Sequence, residues 1–293
     1  MRIGVLGNAG SWYVNQLCFN INQRGHEAFE LQFPNLTASV RDGVVGLEID
    51  GVDLHGLDAL LVRTMPPGSL EQVVSRMDFL AGIADSGGLV VNSPKAIECA
   101  VDKYLTTQKL AFAGLPVPDT IVCENSDAAI EAFERLGGDV VVKPLFGAEG
   151  RGILRVNHPE MALRVFRTLE RLNATIYQQQ FLTGPLEDIR ILLLDGELVA
   201  SMKRTPASGD FRANAAQHGT AVPHQPTPDE MNLALAAAGV TGCVFSGVDL
   251  MYNAAGEAVV IEVNAVPGWR TLQKTCGVNV PDRLLTWIEL QGN

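Results

Sequence analysis

Short apolar runs alternate with helix-length stretches through the first ninety residues. Arg2–Leu6 reads as a strand, residues 7–11 as a Gly-rich turn, and the helical pattern that follows runs to Gly25, placed as a C′ glycine. Further strand-like runs at 28–33, 59–63 and 88–92 are separated by helix-length segments, so residues 1–92 predict a small doubly wound α/β domain. Asn92-Ser93-Pro94 marks its end, with Ser93 as N-cap and Pro94 at the first helical position. One helix then carries Asp102 and Lys103 as far as Ala113-Gly114, and residues 115–118 enter a new strand.

The second half is richer in strands. An apolar run ending in Lys143 leads into a loop with Gly147, Gly150 and Gly152; a strand, a helix over 160–172 and a strand over 175–182 follow. The stretch 187–194 is a strand that turns at Asp195-Gly196, a hairpin signal, and returns to Lys203-Arg204. A polar loop over 209–220 and a helix over 229–238 precede two last strands, 246–252 and 259–263.

Those last strands carry the first chemical signal. Side chains two apart on a strand share a face, so Glu262 and Asn264 project together while Val263 points away. A four-residue loop over 254–257 would set Asp249 opposite Glu262. The result is an Asp/Glu/Asn oxygen cluster suited to Mg²⁺ held partly by phosphate oxygens. A hairpin with ordinary solvated polar residues fits the same pattern.

Other basic residues fall in suggestive places. Lys143 in an apolar strand is costly unless it meets an anion, and the Gly-rich loop after it lets backbone N–H groups approach phosphates. The order is not that of a Walker A loop, and an edge-strand lysine beside a hairpin turn is the plain alternative. Arg63 ends an apolar strand, the position where open α/β sheets collect ligands, and is expected to grip a substrate carboxylate; a surface loop arginine is the other reading. Alone, Lys103 reads as one more solvated helix lysine.

Composition narrows the class. At 293 residues the chain can bury a large core, and no stretch is apolar for long enough to span a bilayer. The start turns polar too soon for a secretory segment. Five cysteines, at 18, 99, 123, 243 and 276, form no C-x-x-C pair, which suits free thiols and a cytoplasmic setting. A net charge of −11 argues against nucleic acid and against a basic membrane patch.

The succession of Lys103, Lys143 before the Gly-rich loop, Gln179-Gln180-Phe181-Leu182, Asp188-Ile189-Arg190, Lys203-Arg204, Asp210-Phe211-Arg212-x-Asn214, Gly247-Val248-Asp249-Leu250 and Glu262-Val263-Asn264-x-x-Pro267-Gly268 resembles the ATP-grasp superfamily. Within it the pattern is similar to the RimK-like α-L-glutamate ligases. The resemblance covers nearly all the chain from Ser93 onward, and the first ninety residues agree only in general α/β character. It implies an ATP-grasp fold of two α+β subdomains, 93–174 with a Gly-rich lid loop and 175–293 with the metal site. It also implies Lys103 and Lys143 on the phosphates and the loop with Gly147, Glu149, Gly150 and Gly152 closing over them. Gln179, Gln180, Phe181 and Leu182 would line the adenine, and Asp188 would lie near the nucleoside. Arg204, Arg212 and Asn214 are expected at the reacting groups, Arg63, Arg190 and Arg270 at substrate, and Asp249, Glu262 and Asn264 on Mg²⁺ or Mn²⁺.

Three departures stand out. The family usually has Glu where Gln180 stands, commonly continues His-Arg-Gly-Gly where this chain has 217–220, and has an acidic, small-residue turn where Gly268-Trp269-Arg270-Thr271 stand. The acceptor is therefore less defined than the ATP chemistry. A small carboxylate-bearing molecule or coenzyme, such as a pterin or deazaflavin, receiving an amino acid such as L-glutamate is favoured over a protein C-terminus. A homo-oligomer, dimer or tetramer, is expected. A non-catalytic ATP-binding regulator of this fold would be expected to have lost a metal ligand or a phosphate lysine, and all are present. A dinucleotide oxidoreductase would need a full glycine fingerprint that residues 7–11 lack.

Overall fold

The computed structural model describes residues 1–147, 151–207, 210–211 and 219–292. The first domain contains β1 (Arg2–Leu6), α1 (Trp12–Gln23), β2 (Glu27–Leu31), β3 (Leu36–Arg41), β4 (Val44–Ile49), β5 (Val52–Asp53), β6 (Ala59–Val62), α2 (Leu70–Asp85) and β7 (Leu89–Val91). Strands β2-β1-β6-β7 form a parallel sheet. β6 is buried along its whole length, which is why Ala59-Leu60-Leu61-Val62 is uninterruptedly apolar.

The expectation of helix-length connections fails between β2 and β6. β3, β4 and β5 form an antiparallel sheet there. Its two tight turns are Asp42-Gly43 and Asp50-Gly51, all four residues with positive φ, the backbone that lets a two-residue loop follow the twist of its strands.

The expected single helix after Ser93 is two, α3 (Pro94–Val101) and α4 (Lys103–Phe112). Asp102 breaks it: its backbone is extended, and its carboxylate accepts from the N–H groups of Tyr104 and Leu105. Lys103 thus sits in the first turn of a new helix.

Next come β8 (Thr120–Cys123), α5 (Ser126–Arg135), β9 (Val140–Lys143), β10 (Leu154–Val156), α6 (Pro159–Arg171) and β11 (Ile176–Gln180). The sheet order is β10-β9-β11-β8, with a separate core around Phe133 and Phe166. Because β11 lies between β8 and β9, this sheet runs past the boundary expected at 174/175.

The last unit holds β12 (Asp188–Leu194), β13 (Glu197–Thr205), β14 (Thr220–Pro223), α7 (Pro228–Thr241), β15 (Phe245–Tyr252), β16 (Ala258–Asn264), α8 (Arg270–Cys276) and α9 (Val280–Gln291). Its antiparallel sheet, β14-β13-β12-β15-β16, is covered on one face by α3, α4 and α7. α3 and α4 therefore pack on the last unit, not on the central one to which their place in the chain would assign them. β12 shows how the sheet divides its labour. Ile189, Ile191 and Leu193 face those helices; on the other face Leu192 and Leu194 join the core shared with the first domain, while Asp188 and Arg190 carry charge. Among the described residues no helix is long and apolar enough to cross a membrane.

Candidate active site

The central sheet and the last sheet face each other across a cavity. From the central side come Val141 and Lys143 of β9, then Gln179, Gln180, Phe181 and Leu182; from the other come Asp188, Asp249, Met251, Ile261 and Glu262. Strand period explains the first pair: Val140 and Val142 point into the core beneath α5 and α6, so Val141 and Lys143 point out of it.

Lys143 Nζ donates to Gln179 Oε1 at 2.6 Å. Gln179 Nε2 in turn donates to the hydroxyls of Thr120 (3.1 Å) and Tyr177 (3.2 Å), which fixes the amide with its oxygen toward the lysine. Burial lowers the Lys143 pKa to about 8, against the opposing pull of Glu262. Lys103 Nζ lies 2.9 Å from the carbonyl of Gly147 and 3.5 Å from that of Leu145, so it grips the start of the Gly-rich loop. Burial lowers its pKa too. Gly152, at the far end, has φ +73°, and a Cβ there would meet Pro144 at 2.9 Å.

An apolar slot lies beside Lys143, walled by Val141, Ile153, Phe181, Phe211, Met251 and Ile261. Phe181 N donates to Asp139 O at 3.0 Å, and the Phe181 ring packs edge-on to Phe211. The Arg155 guanidinium sits 3.5 Å from the ring centroid while both its Nε and Nη2 bond the Asp139 carboxylate. Arg155 and Asp139 were not anticipated from sequence, since they meet only through strand pairing.

Four charged side chains form a buried ladder across three strands. Arg190 donates to Asp249 through Nε at 2.6 Å and Nη2 at 2.5 Å, and Arg204 Nε donates to Asp188. Arg204 Nη2 lies 3.1 Å from Asp249 Oδ1, at ion-pair distance without hydrogen-bond alignment. Burial alone would raise the Asp249 pKa, but Arg190 and Arg204 outweigh it and hold the carboxyl well below the usual range. Asp188 goes the other way, to about 6, because burial and the Asp249 charge exceed the help from Arg204.

Glu262 faces Asp249 directly across β15 and β16. The expected pairing is present, by a different route: the connecting loop is residues 253–257, one residue longer than expected, and an irregularity between Asp249 and Leu250 restores the register by leaving Ile261 unpaired. Such a bulge turns consecutive side chains to one side, so Ile261 and Glu262 both line the cavity. Asn264 Nδ2 donates to Glu262 Oε1 (3.0 Å) and Gly247 O (3.2 Å), which leaves its own carbonyl oxygen for a cation.

This donor set suits Mg²⁺. It offers two carboxylates and one amide oxygen, all hard ligands, and no cluster of three His, Cys, Asp or Glu exists among the described residues that could cage a metal alone. The rest of the coordination shell is left to phosphate and water, and the neighbouring lysines and apolar slot match a nucleotide.

Other expected site residues lie elsewhere. Arg63 and Arg270 do not line this cavity. Arg63 is buried at the junction of the first domain with the segment after Asn264, and Arg270 lies over Trp12, 5.3 Å from the ring centroid. Glu149, Gly150, Arg212 and Asn214, with residues 217–218, fall outside the described residues.

Residues 100–288 match the model of the RimK-like ATP-grasp domain. The tetrahydromethanopterin:alpha-L-glutamate ligase of Methanosarcina acetivorans is 30% identical over 263 residues, 80% of this chain and 81% of that one. The ribosomal protein bS6--L-glutamate ligase of Salmonella paratyphi B is 30% identical over 292 residues, covering 99% of this chain and 96% of its own. Among solved structures, the ATP-grasp ligase PsnB, complexed with a phosphomimetic variant of a minimal precursor, Mg and ADP, superposes with TM-score 0.78 at 20% identity, covering 99% of this chain and 98% of that one.

Proposed function

Because this chain belongs to the RimK-like ATP-grasp family of ligases, we propose that it joins an amino acid, L-glutamate, to a small carboxylate-bearing molecule at the expense of ATP. The observation that carries this reading is the facing of Lys143 by the Asp249/Glu262 pair across one cavity with an apolar slot beside them.

An amide does not form from a free carboxylate and an amine at neutral pH, because the oxygen is a poor leaving group. Bound ATP with Mg²⁺ supplies a phosphoryl group that makes the carboxylate an acyl phosphate, which the amine attacks with loss of phosphate. The chain's tasks are placement and charge neutralisation. Lys103 and Lys143 offset phosphate charge. Glu262, Asn264 and Asp249 hold the cation, and Arg190 with Arg204 keeps Asp249 ionised for that role. Phe181, Met251 and Ile261 supply apolar walls for the base end of the slot. By their place in the motif order, Arg212 and Asn214 are assigned to the acyl intermediate.

The name of the Methanosarcina acetivorans relative supports a pterin-like acceptor and that of the Salmonella relative a protein acceptor, at equal identity. Arg270, an exposed cation beside the half-buried Trp12, favours an anionic molecule with a flat ring. The five cysteines, all free, suit a reducing compartment.

The test is product mass after incubation with MgATP, L-glutamate and a tetrahydropterin ending in a carboxylate, with a bS6 C-terminal peptide in parallel. The pterin should gain one glutamyl residue with matched ADP release. Addition to the peptide alone would replace the coenzyme reading by the protein-tail one, and no ADP release with either would leave the small-molecule assignment without support.

A further inference from the structure

In an open α/β sheet the crevice at the carboxyl ends of the strands is where ligands collect. In this chain the crevice at the ends of β6 and β7 is filled by the chain's own segment 265–269, which follows directly on Asn264. Two buried polar side chains hold it there. Arg63, the residue after β6, is only 7% exposed and donates through Nη2 to the carbonyl of Pro267 at 2.7 Å. Its guanidinium lies 4.2 Å from the centroid of Trp269, a fully buried ring, and 5.4 Å from that of Tyr13. Asn92, the residue after β7, donates through Nδ2 to Ala265 O and Phe245 O, both at 2.6 Å, and accepts from Phe245 N at 2.8 Å.

These contacts bear on β15 and β16 at the residues that matter. Phe245 begins β15, and Ala265 follows the last residue of β16. Pro267 packs against Gly247, where a Cβ would stand 3.1 Å from its own Cβ and 3.7 Å from Arg190 Cδ; Gly247 is the partner of Asn264 and accepts from its amide.

We propose that Arg63 and Asn92 are positioning residues of the cation site, acting from the first domain through the carbonyls of Pro267 and Ala265 to fix Asn264 and Glu262. The proposal rests on the ligase reading above and reassigns Arg63 from the substrate role its sequence position suggests. The physical reason is tolerance: ligands of a small, rigid cation such as Mg²⁺ must be held close to their productive geometry, and the end of a strand is free to fray unless something outside the sheet ties it down. A buried cation bonded to a carbonyl does so with directional strength, and stacking on Trp269 fixes the guanidinium plane.

The test is ADP affinity by calorimetry with Mg²⁺ and with EDTA, for the full chain and the variants Arg63→Met, Arg63→Lys and Asn92→Ser. Arg63→Met should leave ADP binding in EDTA within about two-fold of the parent and shrink the gain from Mg²⁺ by about 10- to 100-fold, the range seen when groups behind metal ligands are removed. Arg63→Lys should recover part of that gain, since it keeps the charge and one donor but loses the flat guanidinium that stacks on Trp269. Asn92→Ser should show the same selective loss, which keeps the test decisive if an Arg63 variant fails to fold. Folded variants with a lowered melting temperature but a parental Mg²⁺ gain would overturn the proposal and leave a merely structural role. A parental Mg²⁺ gain with a raised acceptor KM would return Arg63 to the substrate. If the parent itself gains nothing from Mg²⁺, it is the ligase reading that falls.

Discussion

Arg190 and Asp249 stand opposite each other on β12 and β15 and are joined by two hydrogen bonds, Nε to Oδ1 and Nη2 to Oδ2. Asp249 is 2% exposed, whereas the Glu262 side chain beside it is 27% exposed. The two metal candidates therefore differ in what surrounds them. Glu262→Gln should abolish most Mg²⁺-dependent turnover with little change in stability. Asp249→Asn should do the same and also destabilise the fold, by up to about 3 to 5 kcal/mol, because the buried Arg190 loses its forked partner and keeps Glu262, at 3.8 Å, as a nearby counter-charge. Urea unfolding of the two single variants separates them; equal midpoints would show that the fork contributes no stability. Asp249 is thus part of the buried interior of the sheet, and Glu262 alone stands partly clear of it.

Lys143 links nucleotide affinity to pH. With its pKa lowered to about 8 by burial, the ammonium proposed to meet the phosphates is lost as pH rises through that value. ATP affinity should therefore fall as pH rises above about 8. Lys143→Ala should bind more weakly and remove that step. A wild-type affinity that is flat across this range in calorimetry would detach the lysine from the phosphates.

Much of this site was legible because it depends on period and order. Lys143 and Val141 share a strand face, and Glu262 and Asn264 share another, as two-residue alternation requires. The Asp249 and Glu262 pairing came out as expected only because a longer loop and the bulge at Ile261 cancel, and nothing in residues 253–262 announces either. The Asp42-Gly43 and Asp50-Gly51 turns were readable by the same signal as Asp195-Gly196, yet the interval between β2 and β6 reads as helix-length and hides them. Arg63 could not be placed from its own neighbourhood, because what fills its crevice lies two hundred residues further along the chain. The place of β11 was hidden for a related reason: it is sequentially next to the last unit but pairs with β8 and β9.

The Arg155 and Asp139 pair gives a test of the apolar slot. Arg155 covers Phe181 and is fixed by a bidentate bond, so Arg155→Ala should leave the Phe181 ring without its cover. The pair is partly solvated, so stability should change by less than about 1 kcal/mol. The KM for ATP should rise several-fold with kcat nearly unchanged, as expected when binding common to ground and transition states is lost. An unchanged KM would place the base elsewhere.

A last prediction concerns the joint between the first domain and the end of the chain. Glu289 on α9 accepts from Arg24 through both oxygens, at 2.9 and 2.5 Å, and is 2.7 Å from His26 Nε2; Arg24 also reaches Asp282 at 2.5 Å. The bonds from Arg24, then from His26, hold the Glu289 pKa at about 2, against an ordinary value of 4.5. For a carboxyl whose folded pKa is depressed, the unfolded chain takes up the proton first as pH falls. Its stabilisation is therefore complete above about pH 4.5 and is lost progressively toward about pH 2. Replacing Glu289 by Gln removes the titrating group, so the stability difference between parent and Glu289→Gln should be largest near neutral pH and shrink as pH falls below 4.5. Solvent screens this cluster, so the neutral-pH difference should be small and should decrease with added salt. Urea unfolding of both proteins at several pH values measures it. A difference independent of pH would mean that α1 and α9 are held by their apolar contact, with the ion cluster contributing nothing to the joint.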